Sequence, residues 1–336
     1  MTRIRTAPSE GRQPTTWQQT VVERIRAGKL APILSSTVDD DLALGGHAEL
    51  VKAYAKYSHI PPNGRSLAEI AQFKGITDEG ISDPLALKED YAKFVKSRLY
   101  ELAEAGGTDP DALAAVDVKF DDLKLAQICE QLRFPGYGDP GSHPLLLLAN
   151  LELPIYLTTS CHEFLEAALV AAGKQPRTDF CRWHKNIEST ERYPTAFDGR
   201  YEPSKQEPLV YHLHGLDRYE DSLVLTEDDY LTFLVACSQN IGKNSDPVHG
   251  RIRQALSDSS LLLLGYELSA WDFRSLFWGL IVPRTRTLTS VVCIQLPPSE
   301  EDRNYLVKYL DNFDFKVSWD RFGEYVAKLS EEVRGG

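Results

Sequence analysis

Apolar residues recur along this chain with two different spacings, and the alternation between them outlines its elements. Trp17, Val21, Val22 and Ile25 fall at helical spacing and are followed by Gly28, a stop signal. They predict an opening helix after a polar tail over residues 1–16. The next run, Leu30 to Leu34, is short and apolar and is bounded by Ser35, Ser36 and Thr37. It reads as a buried first strand that feeds a polar loop from Ser35 to Gly46. From Ala48 to Gln131 the periodic segments are helical, including Leu67 to Phe73, Ala86 to Ala105 and Phe120 to Leu132, with breaks at Pro61-Pro62 and Gly106-Gly107. This stretch is a helical insertion, spanning about 47–142, expected to cap the sheet edge where a ligand would lie.

Past the turn cluster Pro135 to Gly141, strand signals return at Pro154 to Thr158, Leu209 to His214, Leu261 to Gly265, Ser290 to Gln295 and Phe315 to Trp319. Helical patterns separate or follow them at Glu163 to Ala172, Glu227 to Asn240, Val248 to Ser257, Trp271 to Ile281, Glu300 to Phe313 and Arg321 to Val333. Near-continuous apolar strands that alternate with helices predict an α/β fold, a parallel sheet of about six strands covered by helices on both faces. The expectation is one domain over 17–336 with the insertion set into it. Ligands of such sheets bind beyond the carboxyl ends of the strands, so the residues just after each strand are the ones to question.

Composition narrows the classes. A chain of 336 residues, 42% hydrophobic and 26% charged, has the make-up of a globular protein and excludes a wholly disordered, collagen-like or coiled-coil one. Its net charge of −12 supplies no positive field for phosphate backbones, so no direct nucleic-acid partner is expected. Arg3, Arg5 and Arg12 are not followed by the apolar core of a signal peptide, and a cytoplasmic location is expected. The longest apolar stretch, Pro144 to Leu157, is interrupted by Asn150 and Glu152 and falls short of the roughly 20 residues that span a bilayer, so no membrane association is expected. The five cysteines are odd in number and have no paired spacing, as free thiols of a reducing compartment do.

Four strand ends carry unusual residue sets: Ser35-Ser36-Thr37; Thr158-Thr159-Ser160-Cys161-His162; His212-Leu213-His214-Gly215; and Gly265-Tyr266-Glu267-Leu268, with Trp271-Asp272-Phe273 soon after. In this order they resemble the sirtuin-like NAD-binding domain, in the bacterial branch found in anti-phage defence proteins. There the second set reads T-T-N-Y-D, the third L-H-G, and the fourth G-Y-S-L with an aromatic and Asp-Phe following. Leu213-His214-Gly215, then Val224-Leu225-Thr226 and Asp229-Tyr230, is similar to that family's L-H-G…T-x-x-D-Y segment. The likeness runs from about Trp17 to Val333.

The resemblance implies a Rossmann-like fold and NAD as substrate or ligand. NAD hydrolysis passes through an oxocarbenium-like state, which calls for polar groups around the ribose hydroxyls and access for one water. By the resemblance His214 contacts the ribose and acts as base, and Ser160 stands where an Asn positions the ribose or water. Ser35, Ser36 and Thr37 would receive the pyrophosphate on backbone N–H groups. Thr158, Thr159, His162, Gly215, Gly265, Tyr266, Glu267 and Asp272 would surround the nucleotide. A homo-oligomer, a sensor or a regulatory protein is the implied partner. The paired C-x-x-C spacing of the sirtuin deacetylases' zinc module does not occur in this sequence, and no metal is expected even though Cys161, His162, Cys181, His184, His212 and His214 could be imagined as a ligand set.

Four positions depart from the pattern. Ser35-Ser36-Thr37 replaces G-A-G, and β-carbons hinder close approach to a phosphate. Ser160 lacks the separate donor and acceptor of an amide. Cys161-His162 replaces Tyr-Asp, exchanging a carboxylate for an imidazole. Glu267 replaces Ser and adds a negative charge that suits hydroxyls and repels phosphate. Structural readings stand beside these: His214 as a strand-end histidine, Thr159 and Ser160 as N-caps of the helix from Glu163, Trp271, Phe273, Phe277 and Trp278 as a core or subunit-interface stripe, and Glu300 to Arg303 as a solvated helix start. Three functions follow: an NAD glycohydrolase that depletes NAD, a module that binds NAD or ADP-ribose without cleaving it, and a scaffold that recruits a partner through its helical cap.

Overall fold

The computed structural model describes residues 16–81, 83–138, 141–187, 192–197, 199–282, 292–297, 307–310, 313 and 315–335. Helix α1 (Thr16–Arg26) ends as its pattern predicts, with Gly28 at φ +65°, and leads into strand β1 (Leu30–Leu34). The segment expected as a polar loop from Ser35 is instead helix α2 (Ser36–Ala43). Ser35 is its N-cap, its side chain accepting from the Thr37 N–H, and Val38 and Ala43 give the helix a buried face. The insertion comprises α3 (His47–Tyr57), α4 (Leu67–Thr77), α5 (Pro84–Ala105), α6 (Pro110–Asp117) and α7 (Leu125–Leu132). The helix expected from Phe120 thus begins only at Leu125, after turns at 120–122. A short helix α8 (Pro144–Ala149), read from sequence only as part of an apolar stretch, precedes β2 (Ile155–Thr158).

The chain continues through α9 (Phe164–Ala171), β3 (Arg177–Phe180), β4 (Leu209–His212), α10 (Glu227–Gln239), α11 (Gly250–Asp258) and β5 (Ser260–Leu264). Then come α12 (Trp271–Leu276), which runs into a π-helical turn (Phe277–Ile281), β6 (Val292–Leu296), β7 (Lys316–Trp319) and α13 (Phe322–Gly335). Of the helix expected at 300–313, residues 307–310 are described as helix and 313 as a turn; its start, the tail over 1–15 and residues 290–291 of the expected strand lie outside the described residues.

Among the described residues seven strands, one more than expected, pair in the order β3-β4-β2-β1-β5-β6-β7, every ladder parallel. The strand missed was β3, an edge strand reading Arg-Thr-Asp-Phe, whose charges hide it from an apolar pattern. Successive side chains feed opposite faces. Leu30 and Leu34 join α1, α8, α9, α13 and the insertion in one core, while Ala31 and Ile33 join α10, α11 and α12 in the other. Phe273 and Phe277 are core residues, Trp278 is 44% exposed, and Trp271 is half-buried. This is the Rossmann-like α/β arrangement with helices on both faces.

Candidate functional site

The register brings the predicted strand ends to one level, since Leu34 pairs with both Thr158 and Leu264, and Thr158 pairs with His212. From β1 the chain first builds to one side through β2, and later returns to the other side with β5. The crevice at that reversal is where open α/β sheets place ligands. Final rungs run from Ser35 N to Leu264 O (2.9 Å), Thr159 N to Leu34 O (2.8 Å) and Leu213 N to Thr158 O (2.8 Å). Beyond them the backbones diverge around a cleft of about 330 Å³.

Asp272, from the first turn of α12, ties the centre together. Its Oδ2 accepts from Ser35 Oγ at 2.5 Å and lies 3.4 Å from Thr159 Oγ1, and its Oδ1 accepts from the Phe273 N–H at 2.6 Å. Burial raises its pKa, opposed by the Ser35 hydroxyl. The same tightness bears on the phosphate reading of Ser35-Ser36-Thr37. The Ser36 N–H donates to Thr159 Oγ1 (2.9 Å), Thr37 N–H to Ser35 Oγ (3.2 Å) and Val38 N–H to Ser35 O (3.1 Å). Three donors of the α2 N-terminus are therefore already satisfied within the protein. Close backbone approach occurs instead at Gly265, at φ +76°, where a β-carbon would stand 2.3 Å from Val38 Cγ2.

At the end of β2, Thr158 Oγ1 donates to Leu34 O and accepts from the Ser160 N–H (2.9 Å), and Ser160 Oγ accepts from the His162 N–H (3.1 Å). Ser160 thus holds the turn before α9 and does not cap the helix, whose N-cap is Glu163 without a side-chain bond. Thr159 does not cap it either, its hydroxyl facing Ser36 and Asp272. Near Ser160 lies the buried carboxyl of Asp39, whose pKa burial pushes up to about 7 against the pull of Ser160 and His162. His212 spans Ser160 O (2.7 Å from Nδ1) and Glu166 Oε1 (2.8 Å from Nε2). Burial opposes its charging, but Glu166 outweighs burial and its pKa is raised. His162 sets Nδ1 2.9 Å from Asp217 Oδ2, and burial is again outweighed, here by Cys161 and Asp217.

The end of β4 is built differently. His214 lies 3.2 Å through Nε2 from Ser275 Oγ, which donates onward to Asp272 O, so the imidazole Nε2–H donates to Ser275. Its ring meets Tyr230 and Phe233 edge-on, and burial alone drives its pKa down to about 3. Gly215, at φ +87°, is irreplaceable on steric grounds, since a β-carbon would lie 2.2 Å from Ser222 O.

Of the predicted residues, Ser36, Thr37, Thr159, Ser160, His162, His214 and Asp272 line the cleft. Ser35, Thr158, Gly215, Gly265 and Tyr266 support it from behind, Tyr266 by donating its hydroxyl to Leu34 O (3.2 Å). Glu267 is exposed in the turn before α12 and does not reach the lining. Sequence reading missed the far wall. There Asp40 holds His47 Nδ1 at 2.7 Å, Tyr91 comes from α5, and Tyr230 stacks on Trp271, whose Nε1–H donates to Glu227 Oε1 (3.1 Å). Tyr230 and Trp271 were quoted from the sequence without a ligand role, and for the rest the available signal was the aspartate run at 39–41 directly after the first strand end. Asp40, Glu69, Glu227 and Asp272 share the lining with Arg274 and the imidazoles of His47, His162 and His214, so carboxylates outnumber the one guanidinium and suit hydroxyls better than phosphate.

Fold and cleft together define a Rossmann-like α/β protein with a ligand site at the reversal of strand order. Residues 154–311 match the family model for a SIR2-like domain, a segment carrying the ends of β2, β4 and β5, which supports a sirtuin-like domain in this chain. No curated protein matches the chain. Among the described residues no three His, Cys, Asp or Glu side chains converge to hold a metal ion, all five cysteines are free, and no helix is long and apolar enough to cross a membrane.

Proposed function

We propose that the cleft binds NAD and hydrolyses its nicotinamide–ribose bond, releasing nicotinamide and ADP-ribose, as the NAD-depleting effector of a cytoplasmic bacterial anti-phage defence system. A sensor, a regulatory protein or self-association would be its trigger. The observation that carries this reading is the convergence of Thr159, Ser160, His162, His214 and Asp272 from two strand ends and α12 on one cleft within a chain of which residues 154–311 match a SIR2-like domain. The acidic lining favours the cationic nicotinamide ring and the ribose hydroxyls, and stabilises the positive charge that develops as the bond breaks. His214, held neutral and donating through Nε2, presents Nδ1 as the acceptor of its ring.

The occupied N–H groups of α2 and the serine at 160 favour a second reading, a module that holds NAD or ADP-ribose without cleaving it. Nicotinamide release from NAD, followed chromatographically, separates the two. The Ser160 protein is expected to be slow and a Ser160→Asn variant faster by on the order of 100-fold, about 3 kcal/mol of transition-state stabilisation. Calorimetric binding of NAD with no release by either protein establishes the binding module, and absence of binding removes both readings.

A further inference from the structure

Beside the cleft, between α5 and the ends of β2 and β4, lies a second chamber of about 20 Å³, room for a single water. His162, Cys161, Tyr91 and Leu223 line both spaces, which adjoin one another there. Asp217 lies on the chamber side and fixes the imidazole by its Nδ1. With Nδ1–H donated to that carboxylate, the neutral ring keeps its lone pair on Nε2. Cys161 Sγ is 3.8 Å from Nδ1 and 3.7 Å from Nε2, and such near-equal distances put the sulfur off the in-plane axis of either nitrogen, so it does not cover that lone pair.

We propose that His162, oriented by Asp217, is the general base of the cleft and that the adjoining chamber holds the hydrolytic water. The inference rests on the hydrolase reading above and gives the base role to the end of β2 instead of to His214. In the step, the water oxygen bonds to the ribose anomeric carbon while one water proton passes to His162 Nε2. The bond from that carbon to the nicotinamide nitrogen breaks with its electron pair going to the ring, which leaves as neutral nicotinamide. The imidazolium formed is balanced by Asp217 and returns its proton to solvent.

The two histidines imply different pH behaviour. A base must be unprotonated, so catalysis by His214, whose pKa lies at about 3, would be flat from pH 5 to 9. His162 has its pKa raised above the ordinary imidazole value, and a rate that depends on it rises toward alkaline pH. The groups that set this value are Cys161 and Asp217 beside it and Asp39 from α2. On the chamber side Tyr91 and Lys96 come from α5, and Lys124 pairs with Glu220.

The test is nicotinamide release between pH 5 and 9 by the parent protein and its Ser160→Asn variant, each with His162→Gln, Asp217→Asn or His214→Gln, alongside ADP-ribose affinity by calorimetry. His162→Gln is expected to lose about 100-fold in rate with ADP-ribose affinity kept, Asp217→Asn to move the rising limb to lower pH, and imidazole to restore activity to His162→Gly. A His162→Gln protein that keeps both rate and alkaline rise overturns the assignment and leaves the hydrolase reading standing. No release by either parent overturns both. Should His162 variants not fold, the profile of the folded proteins decides: a flat profile from pH 5 to 9 overturns the assignment.

Discussion

The ends of β2 and β4 lie side by side in the sheet and each delivers a buried histidine to the same cleft, yet the two rings are in opposite electrostatic situations. His162 has a carboxylate at 2.9 Å and Asp39 within electrostatic reach. His214 has a serine hydroxyl, two aromatic edges and burial alone as the cause of its shift. Burial is nearly the same, 5% and 3% exposure, so depth cannot be what separates them. The partners decide: Cys161 and the Asp217 carboxylate together recover for His162 what desolvation takes, and the Ser275 hydroxyl does not do so for His214. The β2 end is therefore a network of charges, and the β4 end is a packed joint.

The joint breaks most readily at Gly215. Gly215→Ala forces a β-carbon against the Ser222 carbonyl at a positive φ, and a loss of about 5 kcal/mol is expected, read as a fall in the urea midpoint or as insoluble protein. A loss below about 1 kcal/mol would show that the β4 end is not sterically closed.

Next in size is an opposition in pH dependence. Asp39 has its pKa raised from 3.8 to about 7, so the stability tied to its neutral form is complete below pH 4 and lost as pH rises through 7. His214 has its pKa lowered from 6.5 to about 3, so its contribution is complete above pH 6.5 and lost as pH falls through 3. Each is worth at most about 4 to 5 kcal/mol. Asp39→Asn should flatten the alkaline fall of the melting temperature and His214→Gln the acid fall. Thermal unfolding from pH 3 to 9 measures both, and variants that change the same limb would dissolve the contrast.

The smallest effect sharpens the comparison. Thr226 closes a capping box with Asp229 at the start of α10, the helix that sets Tyr230 and Phe233 against His214. Thr226→Ala should cost about 1 kcal/mol in urea unfolding, with no change in the pH dependence of the β2 end.

Much of the framework was legible because its determinants are local. Leu30 to Leu34 and Ser260 to Leu264 are buried along their whole length, and such runs announce strands covered on both faces. Gly28 stops α1 through a positive φ, and Thr226 with Asp229 starts α10 within four residues. The short edge strand β3 and helix α2 were not legible, the first because ladder bonds to β4 impose it against its charged residues. The second was masked by the polar composition of Ser35 to Asp41, which resembles a turn until Val38 and Ala43 are seen to be buried.

For the cleft, the sequence alone determined which residues stand at the strand ends, since order along a parallel sheet with aligned termini carries them to one edge. Only the tertiary structure decided what those residues are able to do. Asp217 meets His162 from 55 positions away, Asp272 reaches Ser35 across 237, and the donors of Ser36, Thr37 and Val38 are consumed by neighbours that include Thr159. A pKa or a free N–H depends on the partners and burial within a few ångströms, and those are set by packing between distant segments, which no local period encodes.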